Sequence, residues 1–241
     1  MTLTIEMTSD FICPWCLVAD TNLHRAIAQL NAPVEIQRVW YPFELNPDMP
    51  GSGMARKTYR TNKFGSWEYS QQLDAKTVQV GQVNGIEFRY DLMKVTPNTL
   101  KAHRLTWFAG KSGKATEMAQ RILKAYFTEG HDIGDVETLT SLAAEINLNA
   151  EQVRAFLLCD RGTQEIKELK RQALAQGVHS VPTIRIGNEV LVGGQPTEIF
   201  LAALQSAVKE LEGFNYDEAN RKSTGKGNYN FTFKTDEIYS C

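Results

Sequence analysis

Excess charge of one sign is missing from this chain: 26 Lys and Arg stand against 28 Asp and Glu, for a net charge of -2. That balance argues against nucleic acid or an anionic membrane as a partner, because both are held mainly by clustered positive charge. Long hydrophobic runs are also missing. No apolar stretch approaches the length needed to span a bilayer, and the N-terminus shows neither the basic segment nor the apolar core of a secretory signal. A cytoplasmic location is therefore expected, with no membrane partner. No internal repeat is visible. Histidine and cysteine are sparse, with four of each, so any metal or thiol chemistry has few residues to draw on. What remains is globular: 241 residues, 42% hydrophobic and 22% charged, long enough for one or two domains with a real core.

Two of the few cysteines stand together in Cys13-Pro14-Trp15-Cys16. The run before them, Leu3 to Thr8, alternates apolar and polar residues as a strand does, and Leu23, Ile27 and Leu30 follow at helical spacing. Pro14 then falls on the first helical position, where a missing N–H costs nothing, and Cys13 on the N-cap. Unpaired N–H groups and a partial positive charge favour an anion there. A thiol with a pKa of about 8.5 is only ~3% thiolate at pH 7, and one lowered to about 6 is ~90% thiolate. Cys16 lies seven residues before Leu23, which puts it on the buried stripe. Cys13 is thus expected to be an exposed nucleophile at the helix tip and Cys16 a buried resolver.

Paired cysteines at this spacing can also be half of a zinc site. A structural zinc needs two further Cys or His ligands. The remaining cysteines, Cys159 and Cys241, are each alone, and His24 is two helical turns away. Redox chemistry is therefore favoured, with no metal and no cofactor called for. A reducing cytosol, where structural disulfides are rare, points the same way.

The rest of the chain supplies a matching frame. Val34 to Tyr41 reads as a second strand, followed by a long loop through Asn46-Pro47-Asp48-Met49-Pro50-Gly51. From about residue 54 to 176 the pattern is mainly helical, with a start at Thr96-Pro97-Asn98, an apolar stripe over Ala115 to Phe127, and a helix opened by Asp135. Glu151 to Gln176 supplies one or two more. Strands return at Thr183–Ile186 and Glu189–Val192 around the hairpin turn Gly187-Asn188, and Pro196 opens a last helix. The expected fold is α/β: a thioredoxin fold whose βαβ half (residues 1–45) and ββα half (178–212) flank a loop and large all-helical insertion domain (46–177). A polar tail (213–241) follows, in which Tyr229, Phe231 and Phe233 alternate as an added strand would. In a thioredoxin fold, a cis-proline just before the third strand holds the substrate beside the nucleophile. Val181-Pro182 occupies that place, so a cis bond is expected there although such bonds are uncommon.

With these pieces in hand, the chain resembles the DsbA-like thiol:disulfide oxidoreductases, in the FrnE-like branch whose relatives include kappa-class glutathione transferases and 2-hydroxychromene-2-carboxylate isomerases. The resemblance is carried by Asp10-Phe11-Ile12-Cys13-Pro14-Trp15-Cys16, Phe43-Glu44-Leu45-Asn46-Pro47, Asn98 to Leu105, Ala125-Tyr126-Phe127, and Gly177 to Thr183 with Gly193-Gly194-Gln195. It implies disulfide exchange through Cys13 and Cys16, with Pro14, Trp15, Val181 and Pro182 contacting substrate, and His103 and Asn98 facing the site. It implies as partners proteins carrying thiols or disulfides, with glutathione a candidate small thiol, and a monomer or homodimer. The alternative is a glutathione-dependent transferase or isomerase acting on an aromatic small molecule, although relatives of that kind carry serine where Cys13 stands. One departure matters. Many thioredoxin-fold enzymes place a buried carboxylate six residues before the nucleophile, and here that residue is Met7. Asp10 is the nearest acid, either a turn residue or a proton relay to Cys16. Cys159 reads as a small core residue, and Cys241 as an inert thiol.

Overall fold

The computed structural model describes residues 1–222, with side chains through residue 213. A four-stranded sheet is its centre, in the order β2-β1-β5-β6. Strand β1 (Thr2–Ser9) runs through the middle, with β2 (Glu35–Pro42) parallel on one side and β5 (Thr183–Ile186) antiparallel on the other. Helix α1 (Pro14–Gln29) makes the crossover between β1 and β2 that a parallel pair requires. The outer strand β6 (Glu189–Val192) pairs with β5 through a turn in which Gly187 takes φ 57. A side chain at Gly187 would meet the Cβ of Ala207 at 3.0 Å, so the turn needs glycine for both conformation and space. The last helix, α9 (Thr197–Lys222), packs along α1 over this sheet. It runs ten residues beyond the expected boundary at 212. The aromatic alternation at 229–233 and Cys241 lie outside the described residues.

Between β2 and β5 the chain builds the insertion. Strand β3 (Met54–Ala55) leads into α2 (Arg56–Phe64) and α3 (Trp67–Val83), and β4 (Val95–Thr96) returns to pair with β3. Helices α4 (Leu100–Gly110), α5 (Ala115–Phe127), α6 (Val136–Glu145), α7 (Ala150–Leu158) and α8 (Thr163–Ala175) complete it. The insertion is thus helical except for one two-residue ladder. Its helices begin where local chemistry allows: Ser66 Oγ, Asp135 Oδ2 and Asn149 Oδ1 accept the orphan N–H groups of Tyr69, Thr138 and Gln152 at 3.0, 2.8 and 3.0 Å. The expected start at residues 96–98 is a strand end and a loop, because Thr96 pairs with Met54 and the helix is capped at Thr99.

Two apolar clusters result. One joins the sheet to α1 and α9 through Ile5, Met7, Leu23, Ile184, Phe200 and Leu204. The other fills the insertion around Leu105, Met118, Ile122, Phe127 and Phe156, and takes in Phe11, Cys13, Cys16 and Leu17. The first turn of α1 therefore sits at the seam between the two cores. Cys16 is buried, yet it belongs to the insertion's core and not to that of Leu23. Among the described residues, no helix is long and apolar enough to cross a membrane.

Candidate active site

Cys13 caps α1 in extended conformation (φ -94, ψ 111), with Pro14 as the first helical residue. Its N–H donates to Asp10 O at 3.1 Å, closing a tight turn off β1, and its carbonyl accepts Cys16 N–H at 3.0 Å. The expectation of an exposed nucleophile is corrected here: Cys13 is 6% exposed and Cys16 fully buried. The Cys13 sulfur lies 3.7 Å from Val181 O, and the Val181–Pro182 bond is cis. The loop bearing Pro182 thus covers the nucleophile from one side.

The two thiols are pushed in opposite directions. Cys13 is held below its ordinary value, chiefly by a hydrogen bond from the Cys16 thiol and further by the Cys16 and Trp15 N–H groups; burial and the Asp10 charge oppose this. Cys16 is pushed well above its ordinary value by burial first and by its pairing with Cys13. The Ser9 hydroxyl and the Asp10 N–H act the other way and do not offset this. This division favours an ionised Cys13 beside a protonated Cys16.

Cys13 opens onto a cleft of about 280 Å³ between the first turn of α1 and the α2–α3 hairpin. Ile12, Pro14, Trp15 and Leu45 form its near side, and Trp15 is 39% exposed. The far side carries Arg56, Arg60, Lys63 and Lys76 against the single acid Asp74, interleaved with Tyr59, Phe64, Tyr90 and Tyr126. Arg56 and Arg60 share Asp74, each at 2.7 Å. Arg56 is nearly buried and stacks over the Tyr90 ring at 4.9 Å. Burial pushes the Tyr90 and Tyr126 phenols up, so both stay neutral. The cleft is therefore cationic and aromatic, in a chain whose overall charge is slightly negative.

Other expected site residues are not in this cleft. His103 is buried, with Nε2 2.9 Å from Phe43 O and 3.5 Å from Asp10 Oδ1 and its ring against Phe11. It braces the turn from behind and does not line the cleft. Asn98 spends its side chain on Met49 O (2.7 Å) and Leu100 N–H (2.9 Å), fastening the loop after β2. Asp10 is fully buried, and its Oδ2 accepts Leu45 N–H at 2.7 Å. What it offers Cys16 is its backbone N–H; its carboxylate is turned to Leu45 and His103. Cys159 is the half-buried C-cap of α7, its thiol 3.4 Å from Phe156 O, and not a core residue. Met7 is buried, with its sulfur 3.6 Å from Arg38 Nη2, and Arg38 pairs with the buried Asp20. Sequence reasoning missed Ser9, Arg56, Arg60 and Asp74. Arg56, Arg60 and Lys63 at spacings of four and three were a readable signal of one cationic helix face; Ser9 had none. No group of three or more His, Cys, Asp or Glu able to hold a metal ion occurs among the described residues.

The description of the DSBA-like thioredoxin domain matches residues 4–205. An uncharacterised Bacillus subtilis protein, YwbO, is 29% identical over 215 residues, covering 87% of this chain and all of that one. A probable DsbA oxidoreductase of Streptomyces coelicolor, SCO1869, superposes with a TM-score of 0.77 at 28% identity, covering 86% of this chain and 91% of that one. The cytosolic disulfide reductase DsbM of Pseudomonas aeruginosa, solved with glutathione, gives a TM-score of 0.59 at 18% identity, covering 89% of this chain and all of that one.

Proposed function

This chain belongs to the DsbA-like thioredoxin-domain family, and from that premise we propose that it is a thiol-disulfide oxidoreductase in which Cys13 attacks and Cys16 resolves. The observation that carries the reading is the asymmetric pair itself: one thiol lowered at a helix N-cap beside Val181–Pro182, the other raised and buried behind it. The Cys13 thiolate attacks one sulfur of a substrate disulfide, that S–S bond breaks, and the departing sulfur leaves as a thiolate that takes up a proton. Cys16 then forms a bond to Cys13, the mixed disulfide breaks, and the second substrate sulfur leaves reduced. Two electrons pass to the substrate, and run in reverse the same steps oxidise a dithiol.

Pro14, Trp15, Val181 and Pro182 are the proposed contacts for an extended protein segment, with Trp15 offering an exposed apolar face. The cationic wall of the cleft favours small acidic thiols such as glutathione. The working compartment proposed is the reducing cytoplasm, where such a dithiol cycles and does not staple. The test is turnover of insulin or glutathione disulfide together with the reduction potential of the Cys13/Cys16 couple. Turnover should vanish in Cys13→Ser and stall as a mixed disulfide in Cys16→Ser. Full turnover by Cys16→Ser would instead favour a one-thiol transferase or isomerase acting on an aromatic anion, the second reading that the cationic, aromatic cleft keeps open.

A further inference from the structure

Cys13 stands between two walls of different chemistry. One is the far side of the cleft, where Arg56, Arg60, Lys63 and Lys76 face Asp74 alone. That acid is shared by the two arginines, and Arg56 is 4% exposed, so a guanidinium is built into the wall. Lys63 Nζ donates to the neutral oxygens of Tyr59 at 2.7 Å and Asn46 at 3.4 Å. Neither it nor Lys76 pairs with a carboxylate among the described residues. The other wall is apolar and peptide-like. Val181 O lies 3.7 Å from the Cys13 sulfur, and Gly193 N–H donates to Pro182 O at 2.9 Å. Gly194 sits so close against Trp15 that an added Cβ would meet its Cε3 at 3.1 Å. The half-exposed indole is thereby backed by the same loop that carries Pro182.

We infer that the substrate this site is built for is a mixed disulfide joining a protein cysteine to a small thiol that carries two carboxylates. The small half enters the cleft, and the protein half lies along Trp15 and the Val181–Pro182 loop. This rests on the exchange reading above and gives it a substrate class and an order of events. A cleft of about 280 Å³ is at the lower end of small-molecule sites, so it takes one small half of a disulfide and not a protein segment. A disulfide of two small acidic thiols would leave its second acidic half against the apolar wall. A disulfide between two protein segments would leave the cations unmet. The hybrid matches both walls. Two carboxylates fit better than one because the anchors are separate: a guanidinium fork fixed in the wall, which suits a carboxylate in two-point contact, and two exposed ammonium groups.

The order of bond changes follows from which half sits against Cys13, itself part of the cleft lining. The Cys13 thiolate attacks the sulfur of the small thiol, the bond to the protein sulfur breaks, and the protein leaves first, as a thiolate that takes up a proton from water. Cys16 then bonds to Cys13, its proton passing to the sulfur of the small thiol, which leaves with the electron pair of the second broken bond. The Cys13/Cys16 dithiol supplies both electrons. Two molecules of the same small thiol restore it by the reverse exchange and leave as their disulfide. The activity is removal of a small acidic thiol from a blocked protein cysteine.

The test uses the full, reduced chain with Cys159→Ser and Cys241→Ser, and a carrier protein whose single cysteine is blocked in turn with glutathione, mercaptosuccinate, cysteamine or 2-mercaptoethanol. Single-turnover release of the carrier thiol should be about ten- to a hundredfold faster from the two dicarboxylate adducts than from the cationic and neutral ones, and the gap should shrink in high salt. Either order between glutathione and mercaptosuccinate supports the class, a faster glutathione adduct adding recognition of its peptide frame. With Cys16→Ser added, mass spectrometry should find the small thiol held on Cys13 and the carrier free. Lys63→Gln with Lys76→Gln, both exposed, should narrow the preference for the glutathione adduct over the cysteamine adduct by about fivefold or more. Dicarboxylate adducts released no faster than the others, or a carrier trapped on Cys13, overturn this inference and leave disulfide exchange standing. If the chain reduces neither these adducts nor insulin, the exchange reading falls, and this inference with it.

Discussion

Replacing Cys16 by alanine should make Cys13 a poorer nucleophile, by an amount that two opposing effects decide. The largest influence lowering the Cys13 thiol is the hydrogen bond from Cys16, ahead of the backbone N–H groups of Cys16 and Trp15. A hydrogen bond to a charged group contributes about 1.5–3 kcal/mol. Cys13 is only 6% exposed, so water does not replace the lost donor. That energy is a factor of roughly 10 to 150 in the ratio of thiolate to thiol. The more basic thiolate is also intrinsically more reactive, recovering about 0.4–0.5 of the effect on a logarithmic scale. The net expectation is a fall of roughly 4- to 16-fold in iodoacetamide alkylation of Cys13, measured below the inflection of the parent protein. The inflection of the pH–rate profile should move up, with Cys16→Ser, which keeps a donor, lying in between. Cys13→Ser subtracts alkylation at the other thiols. If Cys16→Ala alkylates at the parent rate with the parent inflection, the reasoning is refuted, and the helix N-terminus alone would set the reactivity of Cys13.

The same thiols predict how stability varies with pH in the reduced protein. Cys13 is lowered by folding, so its contribution is fully present above the unfolded value of about 8.5 and is lost as pH falls through its folded value. Cys16 is raised, so its contribution is present below about 8.5 and declines as pH climbs past it. Urea unfolding under reductant should therefore show the margin of the parent over Cys13→Ser widening up to about pH 8.5; a flat margin would contradict the assignment. Asp20 and Arg38 form a buried pair, with side chains 5% and 7% exposed, and Arg38 Nε and Nη1 have no partners. Asp20→Ala should cost about 3–5 kcal/mol in urea unfolding, whereas Asp20→Leu with Arg38→Met should come close to neutral. In the cleft, Arg60→Gln with Lys63→Gln should raise KM for glutathione disulfide by about tenfold or less, and leave cystamine, which is cationic, unaffected or improved. Equal effects on the two disulfides would remove the charge argument.

The order of elements was legible because each has its own periodicity and punctuation. The alternation of Leu3 to Thr8, the Gly187-Asn188 turn and Pro14 after an N-cap are patterns within one element, set by local backbone preferences. The helix expected to start at 96–98 begins slightly later, with Thr99 as its N-cap, because Thr96 pairs with Met54, more than forty residues away, a contact that local signals do not carry. Cys159 shows the same limit. An apolar stretch reads as core, but the residue closes α7, where the chain turns outward.

The sequence by itself determined which thiols stand together and the local frame that holds them. Cys13 before Pro14 at the start of a helix, Cys16 one turn on, and Val181-Pro182 before a strand are the pieces on which the proposed attack, resolution and substrate contact rest. Only the tertiary structure decided what surrounds them. Burial of Cys13 comes from packing the insertion against α1, and the direction of the Asp10 carboxylate from a Leu45 N–H thirty-five residues away. The cationic cleft forms because the α2–α3 hairpin folds over Cys13. Periodicity carries what a helix or strand will be; it does not carry which distant groups share a low-dielectric space, and in such a space the energy of a thiolate is set by its neighbours.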